Sequence, residues 1–149
     1  MNSDIPASYT WTIPRLPMVL SPNSRTSRYV LHKRHDTDLQ DSIGYFLQAG
    51  YTKPLTSWSK ARVKITFIVA QNRARDWDNW RPRGKGFLDS LKPASGYFRR
   101  NRWVEASGLG IIADDNMECI GEPEMVIVVD KARAPATVIE IEREEIFLA

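Results

Sequence analysis

The chain has 149 residues, of which 42% are hydrophobic and 26% charged, so composition predicts one globular domain over residues 1–149. A single cysteine excludes an internal disulfide, and with only two histidines there is no Cys/His cluster for zinc. No apolar run approaches the roughly 18 residues of a membrane span, and the first residues lack a basic-then-apolar signal segment. We therefore expect a soluble, cytoplasmic protein with no membrane partner.

The net charge of +3 conceals an uneven distribution along the chain. Residues 73–102 contain nine Lys/Arg against three Asp/Glu, whereas residues 103–149 contain three against eleven. A basic belt of this kind fits a polyanionic partner, but charge alone fits an ordinary solvated surface equally well.

The first half of the chain predicts two strands around one helix. Residues 9–13 alternate large apolar side chains with threonine, as a half-buried strand does. A proline-rich loop follows, and residues 39–47 then place apolar side chains on one helical face. The acidic residues 36–38 would form the first turn of this helix, and Gly50 would end it. Residues 61–70 alternate clearly and predict a second strand that leads into the basic belt.

The second half predicts a short helix, a long loop and two further strands. Residues 87–91 carry an apolar stripe that a proline ends. Residues 94–110 have little periodicity and several glycines, so we expect a long loop there. Residues 111–115 run from two isoleucines into two aspartates, which indicates a buried element that ends at polar chemistry. Residues 125–129 and 138–141 complete the strands.

Two carboxylates, Asp76 and Asp78, stand two positions apart among arginines and tryptophans. Carboxylates repel a polyanion, whereas arginines attract one. Both are useful together when the acids hold a hard divalent cation that meets a phosphate and the basic flank guides the rest of the nucleic acid.

Other readings of this motif differ in how well they fit. An EF-hand loop starting at Asp76 would need glycine and glutamate where the chain has Arg81 and Phe87. A phosphate-binding loop ending at Gly84 would need a glycine where the chain has Asn79. A turn capped by aspartate or asparagine remains open, and the tetrapeptide alone favours it.

A wider set of residues resembles the RusA family of Holliday junction resolvases. That family shows a D-x-D-N pattern, a lysine, an apolar-D-x-L segment, and then glycine and aliphatic residues before D-D. The corresponding residues are Asp76, Asp78 and Asn79, then Lys85, then Phe87, Leu88, Asp89 and Leu91, and finally Gly110, Ile111, Ile112, Asp114 and Asp115. The order of strand, proline–serine–asparagine loop, helix and strand before the motif is also similar to that of the family.

The resemblance implies a fold and a function. It implies an α+β fold with a small mixed sheet of about four strands, two main helices packed on it, and an intertwined homodimer. It implies an Mg²⁺-dependent endodeoxyribonuclease, with Mn²⁺ as an alternative ion and no small-molecule cofactor. Such an enzyme resolves four-way DNA junctions by paired symmetric cuts in recombination and repair, in the cytoplasm of a bacterium or of a phage host.

The resemblance also implies roles for individual residues. Asp76, Asp78 and Asp115 match the family's metal-binding acids, and Lys85 matches its essential lysine. Two spacings depart from the family: both the interval from Asp78 to Lys85 and that from Leu91 to Asp114 are longer than usual. Lys85 and Asp89, four apart, would share a helical face as a surface ion pair or as part of the metal site.

The basic belt supplies candidate DNA contacts. We expect the following side chains to bind phosphates: Arg73, Arg75, Arg81, Arg83, Arg99, Arg100 and Arg102. Trp77, Trp80 and Phe87 would stack on bases exposed at a branch point or pack in the core, and the residues do not decide between the two. Two alternatives to the resolvase stay open: a non-catalytic module that binds branched DNA, and a related nuclease that acts on flaps or forks.

Overall fold

The computed structural model describes residues 7–19, 27–70 and 81–144, which form an α+β fold as predicted. In chain order the elements are β1 (Ser8–Ile13), α1 (Arg28–Gln48), β2 (Ala61–Val69), a 3₁₀ turn (Arg81–Gly84), α2 (Lys85–Asp89), β3 (Pro93–Arg99), β4 (Arg102–Leu109), α3 (Met117–Ile120), β5 (Glu124–Val129) and β6 (Ala136–Arg143). None of the described helices is both long and apolar enough to cross a lipid bilayer.

Four strands form a mixed sheet in the order β1-β6-β2-β5. Strand β6 is antiparallel to both β1 and β2, whereas β2 and β5 run parallel. All four strands lie where the sequence predicts them, β5 from a continuous apolar run and the others from their side-chain pattern, so the prediction of a small mixed sheet is confirmed.

The core lies between this sheet and α1. Val63, Ile65, Phe67 and Val69 on β2 are buried, because alternate strand residues face the same side. From α1, Phe46 meets an aromatic cluster, with its ring centroid 5.2 Å from that of Tyr9 and 5.1 Å from that of Trp11. These contacts fix α1 across the sheet.

Helix α1 begins eight residues before residue 36, so the predicted acidic first turn is wrong. The helix is capped by Ser27, whose side chain accepts a hydrogen bond from the Val30 amide. Asp38 lies inside the helix, fully buried, and accepts hydrogen bonds from the Met18 and Val19 amides and from Arg15. A buried carboxylate is tolerated there because tertiary partners satisfy it.

The long loop predicted over residues 94–110 is also wrong, since β3 and β4 form an antiparallel hairpin there. The strands pair Phe98 with Trp103, and the two-residue turn is Arg100-Asn101, with φ of 50° and 63°. Glycines hide the strand signal in the sequence, whereas the cross-strand aromatic pair stabilises the hairpin.

A glycine permits the close approach of α1 and α2. A Cβ atom on Gly86 would lie 2.8 Å from both the Asp38 Cβ and the His35 carbonyl oxygen. Both contacts are tighter than packed atoms tolerate, and the second is with backbone that cannot rotate away. The separation of the two helices therefore depends on the missing side chain.

We predict that Gly86→Ala lowers the free energy of unfolding by about 1–3 kcal/mol, because the added methyl group forces α1 and α2 apart. Gly44→Ala in α1 is the matched control, since a Cβ there meets nothing within 4 Å. That control should gain up to about 1 kcal/mol from its better helix propensity. Urea denaturation measures both, and a stable Gly86→Ala variant would contradict the close-packing argument.

Candidate active site

Lys85 and Asp115, thirty positions apart in sequence, meet in space. The Lys85 Nζ atom lies 3.0 Å from Asp115 Oδ2 and 3.1 Å from Asp89 Oδ1. The lysine side chain is 56% exposed, whereas the two carboxylates are 15–19% exposed. One face of the ammonium is thus held by two acids while the side chain remains accessible to a ligand.

Backbone hydrogen bonds at the base of the hairpin bring these residues together. The Leu109 amide donates to the Ser90 carbonyl, and the Gly110 amide donates to the Lys92 carbonyl. The Ile111 amide then donates to the Leu91 carbonyl at 2.9 Å. The segment that leads to Asp115 is therefore fixed beside residues 90–92, which follow directly after α2. Lys85 is the first residue of that helix.

Asp89 is the most heavily contacted acid of this cluster. Its Oδ2 atom lies 2.7 Å from the Nε2 atom of His35 on α1. An ionised carboxylate only accepts hydrogen bonds, so this His35 nitrogen carries the proton. The Lys92 Nζ atom lies 3.3 Å from Asp89 Oδ1 and 3.7 Å from Asp115 Oδ2. Two lysines therefore neutralise two aspartates.

The cluster shifts the pKa values of Asp89 and Lys85 towards their charged forms. Burial alone would raise the pKa of Asp89, but His35 and the positive charges of Lys85 and Lys92 outweigh burial and hold it well below its usual range. Burial likewise opposes the charge of Lys85, but hydrogen bonds to Asp115 and Asp89 raise its pKa above the ordinary value. Lys85 therefore remains a protonated cation at neutral pH.

Of the three predicted metal ligands, Asp115 belongs to this cluster, while Asp76 and Asp78 lie outside the described residues. Within 7–19, 27–70 and 81–144 no group of three or more His, Cys, Asp or Glu residues could hold a metal ion. Asp115 offers a partly exposed carboxylate, the oxygen donor that Mg²⁺ prefers. Its chemistry fits such an ion, and any further protein ligands would have to come from outside the described residues.

The predicted phosphate-binding arginines are in different settings. Arg73 and Arg75 lie outside the described residues, as do the side chains of Arg81 and Arg99. The Arg83 Nε atom donates to the Val19 carbonyl at 3.0 Å, so that side chain holds the segment after β1. Arg100 and Arg102 are exposed at the hairpin.

The predicted base-stacking aromatics separate in the same way. Phe87 is fully buried in the core and cannot stack on a base, so of the two alternatives core packing is correct. Trp77 and Trp80 lie outside the described residues.

His35 and Lys92 were not predicted from the sequence as part of this cluster. Lys92 follows Asp89 by three positions, and that spacing on a helix was an available signal. His35 is 54 positions from Asp89, and only the packing of α1 on α2 reveals the contact.

Neither models of known protein families nor curated proteins match this chain. The resemblance to the RusA family therefore depends on the motif residues and their order.

We predict that Asp89→Asn lowers the free energy of unfolding at pH 7 by about 1.5–3 kcal/mol, because it removes the negative charge that His35, Lys85 and Lys92 contact. The folded pKa of Asp89 lies below its unfolded value of roughly 3.9, so the stabilisation is complete above that value and is lost as the pH falls below it. Urea denaturation from pH 7 to pH 2.5 should show the native and variant proteins converging at low pH.

Asp36→Asn, at an exposed position on α1, is the control for loss of one negative charge. It should change the free energy of unfolding at pH 7 by no more than about 0.5 kcal/mol. A difference between native protein and Asp89→Asn that stays constant from pH 7 to pH 2.5 would contradict the role assigned to the Asp89 carboxylate.

Proposed function

We propose that this protein is a metal-dependent endodeoxyribonuclease that resolves four-way DNA junctions by paired cuts. One observation carries the proposal: Lys85 and Asp115, the two predicted catalytic residues that lie within the described part of the chain, are 3.0 Å apart. A chance match to a short pattern gives no reason for residues thirty positions apart to meet. The contact also supports the view that the longer spacing before Lys85 does not displace it from the acids.

In this proposal Lys85 stabilises negative charge on a phosphate. Its raised pKa keeps the ammonium charged, and its exposed side chain can donate hydrogen bonds to phosphate oxygens. Asp89 is a positioning residue, because its largely buried carboxylate contacts the ammonium and is itself fixed by His35 and Lys92. The lysine is thus oriented before the substrate arrives, which reduces the entropy lost on binding.

The acids would complete the site as metal ligands. Asp115, together with Asp76 and Asp78, would hold Mg²⁺, with Mn²⁺ as an alternative. A bound divalent ion supplies Lewis-acid chemistry at the scissile phosphate. Lys85 and Lys92 offset the mutual repulsion of Asp89 and Asp115, which allows the two carboxylates to lie close together.

Paired symmetric cuts require two such sites, and a homodimer with a two-fold axis provides them. The family resemblance supports this part of the proposal. Light scattering coupled to gel filtration tests it, and a purely monomeric protein that nevertheless cuts both strands of a junction would contradict it.

A non-catalytic module that binds branched DNA is the second candidate. The ion pairs favour it to some extent, because two ammonium groups already neutralise Asp89 and Asp115 and could serve stability alone. Both candidates predict salt-sensitive DNA binding, whereas only the nuclease predicts strand cleavage that depends on the divalent ion.

The test is cleavage of a synthetic four-way junction with Mg²⁺ or with a chelator. We expect Mg²⁺-dependent cuts on two opposed strands by the native protein. Asp78→Asn and Asp115→Asn should bind the junction but not cut it. Lys85→Ala should bind it but cut at least about 100-fold more slowly, because the transition state loses a charged donor.

Lys131→Ala removes an exposed lysine from the turn between β5 and β6 and serves as the charge control. It should cut at the native rate. Equal cutting by Asp78→Asn would remove Asp78 from the site. A folded native protein that binds the junction but cuts no junction, flap, fork or duplex with Mg²⁺ would favour the non-catalytic module, and faster cutting of flaps or forks would favour the related nuclease.

A further inference from the structure

The tip of the β3–β4 hairpin carries two large aromatic side chains in an unusual setting. Phe98 and Trp103 face each other across the strands, with ring centroids 5.0 Å apart and ring planes at 71°. Phe98 is 74% exposed and Trp103 is 55% exposed, although every other described aromatic that joins a ring contact lies in or against the core. An exposed aromatic pair of this size usually marks a binding surface.

The backbone at the hairpin tip adopts a conformation that is unfavourable for one of its residues. Arg100 has φ of 50°, a left-handed conformation that glycine and asparagine adopt readily and arginine does not. The tight two-residue turn that joins the strands needs this conformation at both central positions. Arginine therefore occupies a place where glycine or asparagine would fold more easily, which points to a use for its charge.

The charge around the aromatic pair is positive. Residues 93–109 contain three arginines, at positions 99, 100 and 102, and a single carboxylate, Glu105. Both Arg100 and Arg102 are exposed. Exposed aromatic rings beside arginines suit unstacked nucleic-acid bases, because the rings stack on bases while the guanidinium groups contact phosphates.

The hairpin also starts at the candidate active site. Lys92, whose ammonium contacts Asp89 and Asp115, immediately precedes β3. Arg100 lies eight positions after Lys92, so an extended strand carries the tip up to about 25 Å from the cluster. The same DNA molecule can therefore occupy the cluster and the tip together.

We infer that the tip of the β3–β4 hairpin is a DNA-binding element in which Phe98 and Trp103 stack on bases exposed at a branch point. This inference rests on the proposed function for its substrate class. It gives the hairpin a specificity role: the arginines bind any DNA, whereas the aromatic pair binds only where bases are unstacked.

The experiment measures affinity for a four-way junction and for a duplex of equal length, in chelator so that nothing is cut. Phe98→Ala and Trp103→Ala should each weaken junction binding by about tenfold and leave duplex binding within twofold. Trp103→Phe keeps a ring that can stack and should restore most of the junction affinity. A fluorescent 2-aminopurine base at the branch point should brighten with native protein and less with Trp103→Ala.

Two further variants complete the test. Arg100→Asn keeps a residue that tolerates the turn but removes the charge, and should weaken binding to both DNAs and flatten its salt dependence. Leu55→Ala removes a 94% exposed apolar side chain elsewhere and should change neither affinity. A purely structural role for the aromatic pair would lower duplex and junction binding together.

An unchanged ratio of junction to duplex affinity in both aromatic variants would overturn the inference. Binding to anionic phosphatidylglycerol vesicles is measured with the same variants. If the native protein binds the vesicles, the two aromatic variants lose that binding and their ratio of junction to duplex affinity is unchanged, the tip is a membrane contact and the inference is also overturned. Failure of the native protein to cut DNA would count against the proposed nuclease and leave these binding results intact. Normal cutting with an unchanged ratio would count against the hairpin alone.

Discussion

The contact on which the site depends is a lysine ammonium held between two aspartate carboxylates. Two acids so close would repel each other, and one would tend to take up a proton. Lys85, helped by Lys92, offsets this repulsion. Together with His35, the two lysines hold the pKa of Asp89 below its usual range, and the acids in turn raise the pKa of Lys85. Lys85 and Asp89 thus favour each other's charged form, and the result is a fixed positive charge beside carboxylate oxygens.

The rest of the fold supplies the rigidity that this contact requires. Helix α1 lies against α2 so closely that Gly86 has no room for a side chain. At the same interface His35 reaches from α1 to Asp89, and Asp38 is satisfied by backbone amides of the segment after β1. The aromatic cluster around Phe46 then fixes α1 on the sheet. A chain of packed and hydrogen-bonded groups therefore connects the sheet to the side chains of the candidate site.

The β3–β4 hairpin shows how an insertion can leave a site intact. By sequence, the interval between Leu91 and Asp114 is longer than in the family that the motif resembles. An antiparallel hairpin returns the chain to its starting point, because its two strands have nearly equal length. Hydrogen bonds from residues 109–111 to residues 90–92 close its base. The residues of the hairpin thus leave the contact between Lys85 and Asp115 in place and provide a separate surface.

The sequence by itself determined the four strands of the sheet, because alternating apolar and polar side chains record which face of a strand is buried, and a short continuous apolar run marks β5. It also indicated that Lys85 and Asp115 belong together, through the order of the motif residues. Only the tertiary structure decided where α1 begins, since Asp38 is stabilised inside the helix by partners distant in sequence. The same holds for His35 and for the hairpin: periodicity describes one element at a time, whereas these features arise from contacts between elements.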